Sequence, residues 1–70
     1  MSIRQARMNA GYSQEKLAQE IGVVQPAVAM WESGKQYPTV TNLKKLSKVL
    51  NCSIDELLKE EGELNALGNS

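Results

Sequence analysis

The chain has no histidine, no phenylalanine and one cysteine, Cys52, among its 70 residues. Without histidine the usual zinc sites and hydrolase triads cannot be assembled from it. A lone cysteine cannot close an internal disulfide. Cys52 reads as a small buried hydrophobe, and the alternative of a redox-sensing or dimer-linking thiol lacks a basic neighbour to lower its pKa. Long apolar runs are missing too: none approaches the ~20 residues that a membrane span takes, and the N-terminus lacks the apolar segment of a secretory signal. The chain therefore reads as cytosolic, with no membrane partner, no metal and no cofactor. Aromatic residues are only 4% of the composition, so Val, Ile, Leu and Ala must build the core. A chain this short buries only about 60% of its unfolded surface, which allows one domain. An enzymatic role is not expected, because the carboxylates gather at an acidic end and no histidine accompanies them.

The formal net charge of zero hides a division. Residues 1–51 carry seven Lys/Arg against Glu15, Glu20 and Glu32, a net of +4. Residues 52–70 carry Lys59 against five Asp/Glu, a net of −4. The asymmetry points to a part that faces nucleic acid and an acidic end turned away from it. An acidic solubilising tail is the plainer alternative.

Helix signals recur at short intervals and no stretch alternates like a strand, so the fold expected is all-α with five helices. Ser2 caps a first helix with Ile3, Ala6 and Ala10 on one face, and Gly11 stops it. Ser13 caps a second, which points Leu17, Ala18 and Ile21 inward before Gly22. Pro26 fits the first turn of a third helix, which runs to Ser33 and ends at Gly34. Thr39 caps a fourth with Val40, Leu43, Leu46 and Leu50 inward, and Asn51 takes the left-handed conformation that ends it. Ser53 with Glu56 forms a capping box for a fifth, burying Ile54, Leu57 and Leu58. The domain expected spans 1–61, and 62–70 reads as a weakly ordered tail.

At about 100° per residue, Val24, Val28 and Trp31 of the third helix fall on one stripe, which should be core. Its other side carries Pro26, Ala29, Met30 and Ser33, with Gln25 at the exposed start. A solvent-facing helix usually carries Lys and Glu, and this face has neither. Small uncharged residues allow close approach to another surface, and the DNA major groove, about 12 Å wide, admits one helix. A groove on a protein would serve as well. Helices 2 and 3, joined by a tight turn at Gly22 with small Ala18 at the crossing, meet the requirements of a helix-turn-helix.

In order and spacing, "GYSQEKLAQEIGV", "WESGK" followed by "YPTVTNLKKLSKVLN", and "CSIDELL" resemble the phage repressor and Cro family, the XRE-type helix-turn-helix domains. The resemblance runs from residue 3 to residue 58 and implies a compact lambda-repressor-like fold and sequence-specific DNA binding by a transcriptional regulator of the phage or plasmid repressor type. It implies that Gln14 binds a backbone phosphate and that Gln25, Pro26, Ala29 and Met30 face base edges. Of these four only Gln25 can make a two-bond contact, and glutamine suits adenine N6 and N7. Lys35, Tyr37, Thr41 and Asn42 fall in the family's second phosphate-gripping segment. Two departures argue for few direct base contacts: Val24 stands where the family often has a Ser or Thr cap, and Pro26 and Met30 where it has polar or basic residues. The first helix is also shorter than in many relatives, and no N-terminal arm is expected.

Other features keep two readings each. Trp31 is a core residue by its stripe and a stacking platform by its chemistry. Lys44, Lys45 and Lys48 are phosphate ligands or plain solvated residues, and Leu64 and Leu67 a dimer contact or part of a loose end. Arg7 and Glu32 lie on or near buried stripes, and the resemblance implies that they pair; otherwise both snorkel to water. The partner expected is double-stranded DNA, bound by a homodimer that is weak or absent in free solution and joined through the fifth helix and the tail. The competing function is a protein-interaction module of the same fold, of antitoxin or antirepressor-binding type.

Overall fold

The computed structural model describes residues 2–58. Five helices follow in order, α1 (Ile3–Asn9), α2 (Gln14–Ile21), α3 (Gln25–Ser33), α4 (Val40–Leu50) and α5 (Ile54–Leu58), and there is no strand among the described residues. The tail beyond residue 61, with Leu64 and Leu67, and the domain boundary at 61 lie outside them. No described helix is long and apolar enough to cross a membrane.

Local chemistry sets each boundary. The hydroxyls of Ser2, Ser13, Thr39 and Ser53 accept from the backbone N–H three residues on, which satisfies one of the free donors at each helix start. Left-handed residues end the helices: Gly22 at φ 77°, Gly34 at φ 81° and, with a side chain, Asn51 at φ 55°. After Gly22, Val23 N–H returns to Ala18 C=O at 2.9 Å, which turns the chain sharply out of α2 and into α3.

The core is small and aliphatic. Leu17, Ala18 and Ile21 of α2 meet Val28 and Trp31 of α3, Leu46 and Leu50 of α4, Ile3 and Ala6 of α1, and Leu57 of α5. The contact between α2 and α3 is the most extensive of any helix pair. Trp31 is therefore a core residue and not a stacking platform, and no buried side-chain nitrogen or oxygen among the described residues lacks a hydrogen-bond partner.

Several expected core residues lie outside it. Val24 is 69% exposed, because it is the cap preceding α3, with extended backbone at φ −83° and ψ 149°, and helical periodicity does not extend to it. Val40, 67% exposed, opens α4 beyond the reach of the core. Ala10 is exposed past the end of α1, Leu58 is exposed at the end of α5, and Ile54 and Cys52 are half-buried. Burial pushes the Cys52 thiol up from its ordinary pKa, and the nearby Glu56 carboxylate adds to the shift.

Candidate nucleic-acid interface

The outer face of α3 follows from its composition. Val28 and Trp31 are anchored in the core, so the opposite side is turned outward, with Gln25, Pro26 and Met30 exposed and Ala29 half-buried. Val24 makes no side-chain cap bond, and Pro26 in the first turn removes one backbone N–H that would otherwise need a partner. Gln25, Pro26, Ala29, Met30 and Ser33 are all uncharged, and Pro26, Ala29 and Ser33 are small enough past Cβ to let this side of the helix approach another surface closely.

A chain of side-chain hydrogen bonds braces both ends of α3, its last turn against α1 and α2 through Glu32 and its start against α2 through Gln25. Arg7 Nε donates to Glu32 Oε2 at 2.6 Å, its Nη2 to Glu32 Oε1 at 3.2 Å, and its Nη1 to the Tyr12 carbonyl at 2.7 Å. The two side chains are 13% and 6% exposed, so the pair is sheltered, two-pronged and further hydrogen-bonded, the conditions under which ionised groups tolerate burial. Gln14 Nε2 donates to the same Glu32 Oε1 at 3.0 Å, and Gln14 Oε1 accepts from Gln25 Nε2 at 2.7 Å. Four residues from three helices thus form one continuous network, whose outermost member, Gln25, is at the exposed edge of α3.

Beside this network an open polar cleft runs between α1 and α3, lined by Arg4, Arg7, Gln14, Ala29, Glu32 and Ser33. Arg4 is not singled out by the sequence, whereas Ser33 belongs to the outer side of α3 that periodicity already marks. The visible signal for Arg4 is its spacing, one helical turn before Arg7, which sets both on one side of α1. Lys35, Tyr37 and Thr41 are exposed and Asn42 is half-buried; no side-chain hydrogen bond joins these four among the described residues. Tyr37, 73% exposed, also borders a more apolar cleft with Ile3, Trp31, Pro38, Leu57 and Leu58. Of the three lysines of α4, Lys45 directs its Nζ to the Ile21 carbonyl at 3.4 Å, closing the negative end of α2. Lys44 and Lys48 are exposed.

The model of the helix-turn-helix family matches residues 3–57. The chain belongs to the helix-turn-helix family. This helix-turn-helix chain is 42% identical over 59 residues to the HTH-type transcriptional activator BcrR of Enterococcus faecalis, covering 84% of the chain and 29% of BcrR. It spans well under half of that relative's length. Among solved structures it is similar to the c2 repressor of Salmonella phage P22 in complex with a synthetic operator, at 40% identity and a TM-score of 0.76 over 81% of this chain and 86% of that one. It is also similar to the SinR/SinI protein complex, at 36% identity and a TM-score of 0.76, over 89% of this chain and 61% of that one. The five-helix fold of this helix-turn-helix chain is thus shared with a repressor solved on DNA and with a chain solved in a protein complex.

Proposed function

We propose that the protein is a sequence-specific DNA-binding transcriptional regulator that inserts α3 into the major groove. The observation that carries this reading is the uncharged outer face of α3 with Gln25 held at its edge by the Arg7–Glu32–Gln14 network. A helix with small side chains and one oriented amide suits the floor of a groove, where base edges present donors, acceptors and thymine methyls. Gln25 bonds a base edge, and Pro26, Ala29 and Met30 make apolar contacts beside it. Gln14, at the positive start of α2, grips a phosphate, and Arg4 extends that grip from the neighbouring cleft. Lys35, Tyr37, Thr41 and Asn42 contact the backbone on the far side of the groove. The similarity to the P22 c2 repressor, solved with its synthetic operator, supports the same partner here.

One recognition helix covers few base pairs, so we infer a homodimer on DNA, with half-sites about 10 to 10.5 base pairs apart. Exposed Leu58, beside the apolar cleft of Tyr37, Pro38 and Leu57, is the described part of the contact. The role is regulatory and not enzymatic, and it places the protein in the cytosol with the DNA. The SinR/SinI complex lends support to the second reading, a protein-binding module. Gel retardation of a random-sequence duplex pool at low salt separates the two: retardation at micromolar protein is expected, and its absence favours the protein partner.

A further inference from the structure

We propose that Glu32 determines which base Gln25 reads, by fixing the direction of the hydrogen-bond relay from Glu32 through Gln14 to Gln25. The proposal rests on the reading that Gln25 meets a base edge. A carboxylate only accepts hydrogen bonds, whereas an amide has an accepting and a donating end. Glu32 Oε2 is taken by Arg7 Nε at 2.6 Å, and Oε1 by Arg7 Nη2 at 3.2 Å and Gln14 Nε2 at 3.0 Å. Gln14 can therefore meet Glu32 only with its NH2 group. Its amide oxygen is turned to the opposite side, where it takes one N–H of Gln25 at 2.7 Å. Gln25 is left with one N–H and a free Oε1. That donor and acceptor complement adenine, which presents N7 as acceptor and N6 as donor in the major groove.

Reversing the relay reverses the complement. If Gln25 had to offer its oxygen to Gln14, that oxygen would be turned toward Gln14 and both N–H groups would be free, which shifts the complement toward the two acceptors of guanine, N7 and O6. Glu32→Gln produces this reversal. Arg7 has only donors and lies closest to Oε2, so it holds the oxygen of the new amide there. The new NH2 group then occupies the place of Oε1, gives up the longer bond from Arg7 Nη2 at 3.2 Å and faces Gln14, which must turn its own oxygen toward it. Gln14 now donates to Gln25, and Gln25 accepts. Glu32 touches no base in this account; it is a positioning residue acting through two amides.

The test is selection of bound sites from random duplex DNA by the full chain and by Glu32→Gln, followed by affinities for paired duplexes that differ only between A·T and G·C at the selected position. Urea unfolding is followed in parallel. The wild-type chain should prefer adenine at one position per half-site, and Glu32→Gln should shift the adenine-to-guanine ratio toward guanine by about tenfold. Gln14→Met cuts the relay while leaving the Arg7–Glu32 pair intact, and decides the matter if Glu32→Gln fails to fold. It should weaken both duplexes and bring their ratio close to one. If both duplexes weaken alike in either variant with adenine still preferred, while Gln25→Ala abolishes that preference, the relay is overturned and the base reading stands. If Gln25→Ala leaves the preference intact, the base reading fails and the proposal with it.

Discussion

Gln25 and Gln14 are joined across the turn between α2 and α3 by a 2.7 Å hydrogen bond, so the residue proposed to read a base and the residue proposed to grip a phosphate form one unit. Residues that share a hydrogen bond do not contribute independently to binding. A double-mutant cycle with Gln14→Ala and Gln25→Ala on the preferred site should therefore show a coupling of about 0.5 kcal/mol or more. Additive losses would mean that the bond is absent on DNA.

The Arg7–Glu32 pair ties α1 to the end of α3, and its burial determines what its loss does. Glu32→Ala leaves the Arg7 guanidinium, 13% exposed, without its counter-charge, which should cost on the order of 3 kcal/mol. The Tyr12 carbonyl remains as one acceptor and moderates the loss. Urea unfolding should show a lower midpoint with an unchanged slope.

Phosphate contacts separate by charge. Arg4→Ala and Lys35→Ala should each weaken all sequences alike and reduce the slope of log affinity against log salt by about one unit. Gln14→Ala should weaken all sequences while leaving the slope nearly unchanged, because a neutral amide displaces no counterion. Binding titrations at four or five salt concentrations check all three.

Gly22 turns the chain from α2 into α3 at φ 77°, and a Cβ there would meet no other atom within 4 Å. Gly22→Ala should therefore cost only the left-handed strain, about 1 to 2 kcal/mol, without repacking the core. Calorimetry should show a lower Tm, with affinity for DNA preserved below the transition.

Cys52, between α4 and α5, gives a pH-dependent readout. Burial and then the Glu56 carboxylate raise its pKa, so the thiol is less ionised than a free cysteine at any pH near neutrality. Any stability from this shift is complete below the unfolded pKa and is lost as pH rises through the folded one. Glu56→Gln should lower the pKa and speed alkylation of Cys52 at pH 8.

The helices were legible because their boundaries are local chemistry: Ser13 and Thr39 each bond a backbone N–H three residues on, and Gly22, Gly34 and Asn51 take up left-handed turns. Periodicity located Leu17, Val28 and Leu46 correctly. It failed at Val24 and Val40, which stand at helix starts, where the turn angle of a helix does not yet apply or the core has already ended. The individual site residues were visible as residue types, but the network was not. Gln14 meets Glu32 across 18 positions and Gln25 across 11, and those contacts depend on how α2 crosses α3, which no local pattern encodes. Arg4 was missed for the same reason, since its cleft exists only once α1 packs beside α3.

Base reading by the α3 face is checked by comparing Gln25→Ala with the wild-type chain on a selected site and on random DNA. Loss of a two-point base contact should cost roughly 1 to 3 kcal/mol on the selected site and little on random sequence. Equal weakening on both would contradict the account, because Gln25 would then be supporting attachment to DNA without contributing to the choice of site.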